Sequence, residues 1–187
     1  MGPYMRYLRE VGRVAEMKPW EDWFPLQTHL EVTHSGSPTD FFVRNRGTGE
    51  EMYVDTIGRV PNDHLHMLQS GYSLRRRLLG DEDENDIWTA NYRRLKKRKK
   101  FARERNIRIV YCFIDVTDED GHLYVDDHAF HEFVDIMDLT LGRKVVRKEV
   151  RAGSEFVVIE RNSLYPAKRF GLSEGEYLWQ PPLHALQ

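Results

Sequence analysis

Two aspartates stand where acids are costly. Asp40 opens the apolar segment Asp40-Phe41-Phe42-Val43-Arg44, and Asp55 lies within Glu51-Met52-Tyr53-Val54-Asp55-Thr56-Ile57. The turn-forming stretch Asn45-Arg46-Gly47-Thr48-Gly49 separates them, so the two segments read as the arms of an antiparallel hairpin. Alternate side chains of a strand share a face, which groups Tyr53, Asp55, Ile57 and Arg59. A carboxylate on so apolar a strand is expensive to bury unless a metal binds it or a partner such as an arginine from the first helix pairs with it. The plain alternative is a strand face turned to solvent.

Cations are the second feature. Arg75-Arg76-Arg77 and Arg93-Arg94-Leu95-Lys96-Lys97-Arg98-Lys99-Lys100 lie on either side of the acidic block Asp81-Glu82-Asp83-Glu84-Asn85-Asp86. The net charge of -2 hides this segregation. Acids before a helix and bases along it also suit the helix dipole, with no partner implied. The density of Arg75, Arg76, Arg77, Arg93, Arg94, Lys96, Lys97, Arg98, Lys99 and Lys100 is what points to a polyanion such as nucleic acid, with Tyr72 and Trp88 available for base stacking.

Histidines offer less. His64-Leu65-His66 places two imidazoles on one face of any strand there, and His128 and His131 are three apart on what reads as a late helix, without a third ligand in sight. Cys112 sits inside Ile109-Val110-Tyr111-Cys112-Phe113-Ile114, where a buried thiol is inert. Neither a glycine-rich phosphate loop nor a glycine-flanked nucleophile elbow occurs.

The elements that must position these residues follow from periodicity. Residues 3 to 17 carry Tyr4, Tyr7, Leu8, Val11, Val14 and Ala15 at helical spacing, ended by Lys18-Pro19. Strands are expected over 28–33, 40–44 and 51–57, and a basic helix from an N-cap at Asn85 or Asp86 through Arg105. The β-branched run 107–114 reads as a buried central strand, followed by a short strand at 122–125 and a helix through Phe130, Phe133, Val134, Ile136 and Met137. Val145-Val146 and Phe156-Val157-Val158-Ile159 form a terminal β-hairpin. The result is an α/β chain with a central mixed sheet and flanking helices: residues 1–140 as core, 141–187 as a C-terminal β extension and tail offering a surface for a homodimer or protein partner.

Length and composition bound the rest. The 187 residues suffice for one domain of ordinary core size, and 40% hydrophobic against 31% charged residues argues against global disorder. No apolar run approaches the roughly 20 residues that span a bilayer, and a single cysteine excludes a disulfide framework or a multi-cysteine zinc site. A cytoplasmic, intracellular location without membrane partners is the expectation.

The stretch from Asp40 to Arg59 resembles the core hairpin of the PD-(D/E)xK, or restriction-endonuclease-like, nucleases: an Asp opening one strand, a turn, then a strand bearing an acid. The following basic helix and the step Ala102-Arg103-Glu104-Arg105-Asn106-Ile107-Arg108-Ile109-Val110-Tyr111 are similar to the helix and strand that succeed that motif, and the order of elements agrees over residues 1 to 137. The resemblance implies a restriction-endonuclease-like core that acts on nucleic acid. It further implies Mg²⁺ or Mn²⁺ held by Asp40 and Asp55, with the Thr56 carbonyl and Glu10 or Glu16 completing the shell. Where the family carries lysine, this chain has Ile57. Loss of such an electrostatic group costs about 2.7–4 kcal/mol of barrier, unless Arg59 or a cation from the next helix substitutes. The expected function is a nucleic-acid-binding protein of nuclease fold with weakened or rerouted phosphodiester hydrolysis, or an inactive module of the same architecture. His64, His66 and Tyr92 are similar instead to the metal-binding pair and covalent nucleophile of HUH endonucleases, which implies a nickase.

Overall fold

The computed structural model describes residues 3–36, 38–60, 87–126, 131–139, 144–146, 155–160 and 164–174. Helix α1 (Pro3–Lys18) is continued by a π-helical turn (Pro19–Trp23) and a 3-10 turn (Phe24–Leu26), where Pro19 and Pro25 interrupt the regular ladder. Strands β1 (Leu30–His34), β2 (Phe41–Asn45) and β3 (Glu51–Arg59) form an antiparallel meander. Strand β4 (Ile87–Asn91) leads into α2 (Tyr92–Arg105), which crosses over to β5 (Ile109–Asp115), parallel to β3. A small hairpin, β6 (Thr117–Glu119) and β7 (His122–Tyr124), precedes β8 (His131–Asp135), antiparallel to β5. Strands β9 (Lys144–Val146) and β10 (Glu155–Glu160) complete the described strands.

The central sheet is therefore mixed and five-stranded, in the order β1-β2-β3-β5-β8. Its two faces carry separate cores. Val54, Val110, Cys112 and Ile114 pack with Val11 and Ala15 of α1, whereas Ile109, Tyr111 and Phe113 pack with Leu95 and Ala102 of α2. Helix α1 approaches so closely that a Cβ at Gly58 would lie 2.7 Å from the Ala15 Cβ and 2.9 Å from the Val11 carbonyl oxygen. Residue 58 must be glycine for α1 to sit where it does.

Two expected helices are corrected. Ile87–Asn91 is a strand paired with β10, so α2 begins at Tyr92 and its N-cap is Asn91, whose Oδ1 accepts from the Arg94 N–H at 2.9 Å. The terminal hairpin of β9 and β10 forms as expected and takes β4 as a third strand. The late helix is also absent: residues 131–135 are strand β8, with Phe133 in the α1-side core and Val134 in the α2-side core. That places His131 on a strand and not on a helix; His128 lies outside the described residues. Among the described residues no helix is long and apolar enough to cross a membrane.

Candidate functional site: an aspartate pair beside a basic helix

The register of the hairpin brings the two aspartates across from each other. Phe41 opposes Val54, and the Asp40 N–H donates to the Val54 carbonyl at 3.2 Å, so Asp40 stands one step past the ladder, abreast of Asp55. Their carboxylates then go to different partners. Asp40 Oδ2 accepts from the Thr56 N–H at 2.7 Å and from Thr56 Oγ1 at 2.6 Å, replacing the strand hydrogen bond that β2 no longer supplies. Asp55 faces α2, where it is fully buried.

Arg98 of α2 meets it there. Its Nη1 lies 2.6 Å from Asp55 Oδ2 and its Nη2 donates to Asp55 Oδ1 at 2.7 Å. Nε and Nη2 also donate to the Pro38 carbonyl, at 3.0 and 2.7 Å, and Nη1 donates to the Tyr111 hydroxyl at 3.4 Å. One guanidinium thus ties α2 to β3, to β5 and to the turn that delivers Asp40. Arg94, one turn earlier, is 63% exposed yet brings Nη2 to 3.9 Å from Asp55 Oδ1. Burial pushes Asp55 up to about 7, against the pull of Arg98 and Arg94 and with a further push from Asp40 and Glu16. Burial also raises Glu16, helped by Asp40, while His34 Nδ1, 3.8 Å from Glu16 Oε1, opposes it.

Glu16 therefore shares this acidic corner, and Glu10 does not: it is exposed on α1 and grips Arg13, with Nε 3.0 Å from Oε1. Arg59 ends β3 opposite Asp115. Ile57, two residues beyond Asp55, packs into the α2-side core. The donors Asp40, Asp55, Glu16 and the Thr56 carbonyl have the hard-oxygen chemistry a divalent cation prefers. Their arrangement does not fit one, because a guanidinium already lies against both oxygens of Asp55. Among the described residues no group of three or more His, Cys, Asp or Glu side chains is placed to hold a metal ion.

Helix α2 divides its cations between solvent and core. Arg93, Arg94, Lys96, Lys97 and Lys100 are exposed, whereas Leu95, Arg98, Lys99 and Ala102 form the buried stripe. Arg98 and Lys99, expected on the phosphate-binding surface, are thus corrected to interior positions. Lys99 donates to the Leu139 carbonyl, and burial holds its ammonium below the ordinary lysine range. Asn91, Arg93, Arg94 and Lys97 line an open depression of about 370 Å³. Tyr92 is half-buried against the α2-side core. Arg75, Arg76, Arg77, His64, His66 and Tyr72 lie outside the described residues.

Sequence reasoning found both aspartates and missed that Arg98 is the buried partner of Asp55. Pro38 and Tyr111, which fix Arg98, also escaped it. The available signal was spacing: Leu95, Arg98, Lys99 and Ala102 recur at i, i+3, i+4 and i+7, the pattern of an inward face. Comparison with protein-family models, with curated proteins and with solved structures gives no match to this chain.

Proposed function

We propose that this chain is a nucleic-acid-binding module on a nuclease-like α/β core, holding a phosphate backbone against the outward face of α2 without efficient cleavage. The observation that carries this reading is the sorting of charge on α2. Arg93, Arg94, Lys96, Lys97 and Lys100 all face solvent, and the helix has no acid before Glu104, which pairs with Lys100 at 3.6 Å. A solvated helix without a polyanionic partner gains from alternating signs along its surface; a run of one sign costs self-repulsion that bound phosphates relieve.

The nuclease-like part rests on the order of elements. Helix, antiparallel meander, helix and parallel strand occur in the order the resemblance implies, with β4 inserted between the meander and α2 and with Asp40 and Asp55 at adjoining positions. The lack of efficient cleavage rests on Ile57 and on Arg98. The first removes the cation that would offset charge on a phosphate, and the second engages the acid that would hold a metal.

Fluorescence anisotropy with labelled single- and double-stranded oligonucleotides, at two salt concentrations and with Mg²⁺ present, tests the reading. Binding that weakens steeply with salt, with the probe left intact, is the expected result. Binding with no salt slope would remove it, and divalent-dependent cleavage lost in Asp55→Ala would replace it with a hydrolase.

A further inference from the structure

The buried cation beside Asp55 has a meaning of its own, independent of whether α2 binds nucleic acid. We infer that the Arg98 guanidinium takes the place of a divalent cation against Asp55, so that the sheet keeps this buried acid as a metal-free lock between β3 and α2.

Four observations carry this. Asp55 is 0% and Arg98 3% exposed, so the charge on one is answered by the other and not by water. The contact is two-pronged, with Nη1 against Oδ2 and Nη2 against Oδ1, which leaves neither carboxylate oxygen open on that side. The same guanidinium reaches the Pro38 carbonyl twice, gathering a backbone oxygen from the Asp40 turn as a bound cation would. Oδ2 makes no hydrogen bond to a described residue, so its compensation is ionic. A delocalised cation with directed N–H donors can satisfy a carboxylate and a carbonyl together, which is the task a hard cation performs with oxygen ligands. Ile57, two residues beyond Asp55 on the same strand, is partly buried against the α2-side core and brings no second cation to the pair.

The prediction is that deleting the guanidinium exposes a latent cation site. Purified wild type, Asp55→Asn, Arg98→Ala and the double variant Arg98→Ala/Asp55→Asn are compared in chelator and in excess MnCl₂. Thermal unfolding, circular dichroism and Mn²⁺ binding by paramagnetic resonance are the readouts. Wild type and Asp55→Asn should show the same weak, non-specific Mn²⁺ response. Arg98→Ala should bind Mn²⁺ at least roughly tenfold more tightly than wild type, and the double variant should lose that gain. If Arg98→Ala is unfolded in chelator, Mn²⁺ should restore its structure, because a ligand that binds the native state favours it.

Wild-type Mn²⁺ affinity that falls tenfold or more in Asp55→Asn would overturn the inference, since the corner would then hold metal with Arg98 in place. A folded Arg98→Ala that gains no Mn²⁺ affinity, or an unfolded one that Mn²⁺ fails to refold, would overturn it equally. None of these outcomes depends on nucleic-acid binding, which the anisotropy measurement decides by itself.

Discussion

Arg98 and Asp55 form a closed pair across the sheet-helix interface, with Nη1 2.6 Å from Oδ2 and Nη2 2.7 Å from Oδ1. The energetics of such a pair are asymmetric. Forming it returns little beyond the desolvation of both ions, but removing one partner strands the other in the core. Near pH 8, above the value of about 7 to which burial raises Asp55, Arg98→Met should therefore lower stability by about 3–5 kcal/mol in urea unfolding. Arg98→Met combined with Asp55→Leu should recover much of that loss, as a matched apolar pair leaves no buried charge. A double variant no more stable than Arg98→Met would show that the Pro38 and Tyr111 contacts of Arg98 dominate instead.

The same burial makes stability depend on pH in an unusual direction. Asp55 is raised from the ordinary 3.8 to about 7, chiefly by desolvation. Between those values the folded chain holds a proton that the unfolded chain has released. The stability contributed by Asp55 is thus fully present below 3.8 and is lost as pH rises through about 7. Asp55→Asn, which mimics the protonated acid, should gain on wild type when urea midpoints measured near pH 8 are compared with those near pH 5, a window that brackets about 7. A difference between the two proteins that stays constant with pH would show that Asp55 is ionised throughout.

What the sequence disclosed and what it concealed divide along physical lines. Helix α1, the hairpin bearing Asp40 and Asp55, strand β5 and the terminal hairpin have a clear period or a clear turn, and all were legible. Strand β8 was not. It lies against β5 with Phe133 in one core and Val134 in the other, and a strand covered on both faces loses the alternation that distinguishes it from a helix. The inward role of Arg98 and Lys99 was concealed for a related reason. Charged residues occupy core positions of α2, so composition assigns Arg98 and Lys99 to the solvent face while spacing groups them with Leu95 and Ala102.

Gly58 offers a check on how firmly α1 is seated. A methyl group there would meet the Ala15 Cβ at 2.7 Å and the Val11 carbonyl oxygen at 2.9 Å, and the latter is backbone that cannot step aside alone. Gly58→Ala should cost about 1–3 kcal/mol and lower Tm, with Val11 and Ala15 drawn away from β3. An unchanged Tm would mean that α1 rides on the sheet more loosely than these contacts require.

Helix α2 separates two lysines by orientation alone, which allows the functional reading to be tested within a few residues. Lys97 is exposed beside the depression that Arg94 shares, whereas Lys99 donates its ammonium hydrogen to the Leu139 carbonyl inside the fold. If the five outward cations each neutralise one duplex phosphate, the logarithm of affinity should fall against the logarithm of salt with a slope of about -4.5. Lys97→Gln should make that slope shallower by about 0.9 and weaken binding on all sequences alike. Lys99→Gln should leave the slope unchanged and lower Tm, because its charge never reaches the phosphates. Equal slope changes for the two variants would mean that the helix meets its partner in another orientation, and no change for Lys97→Gln would remove α2 from the interface.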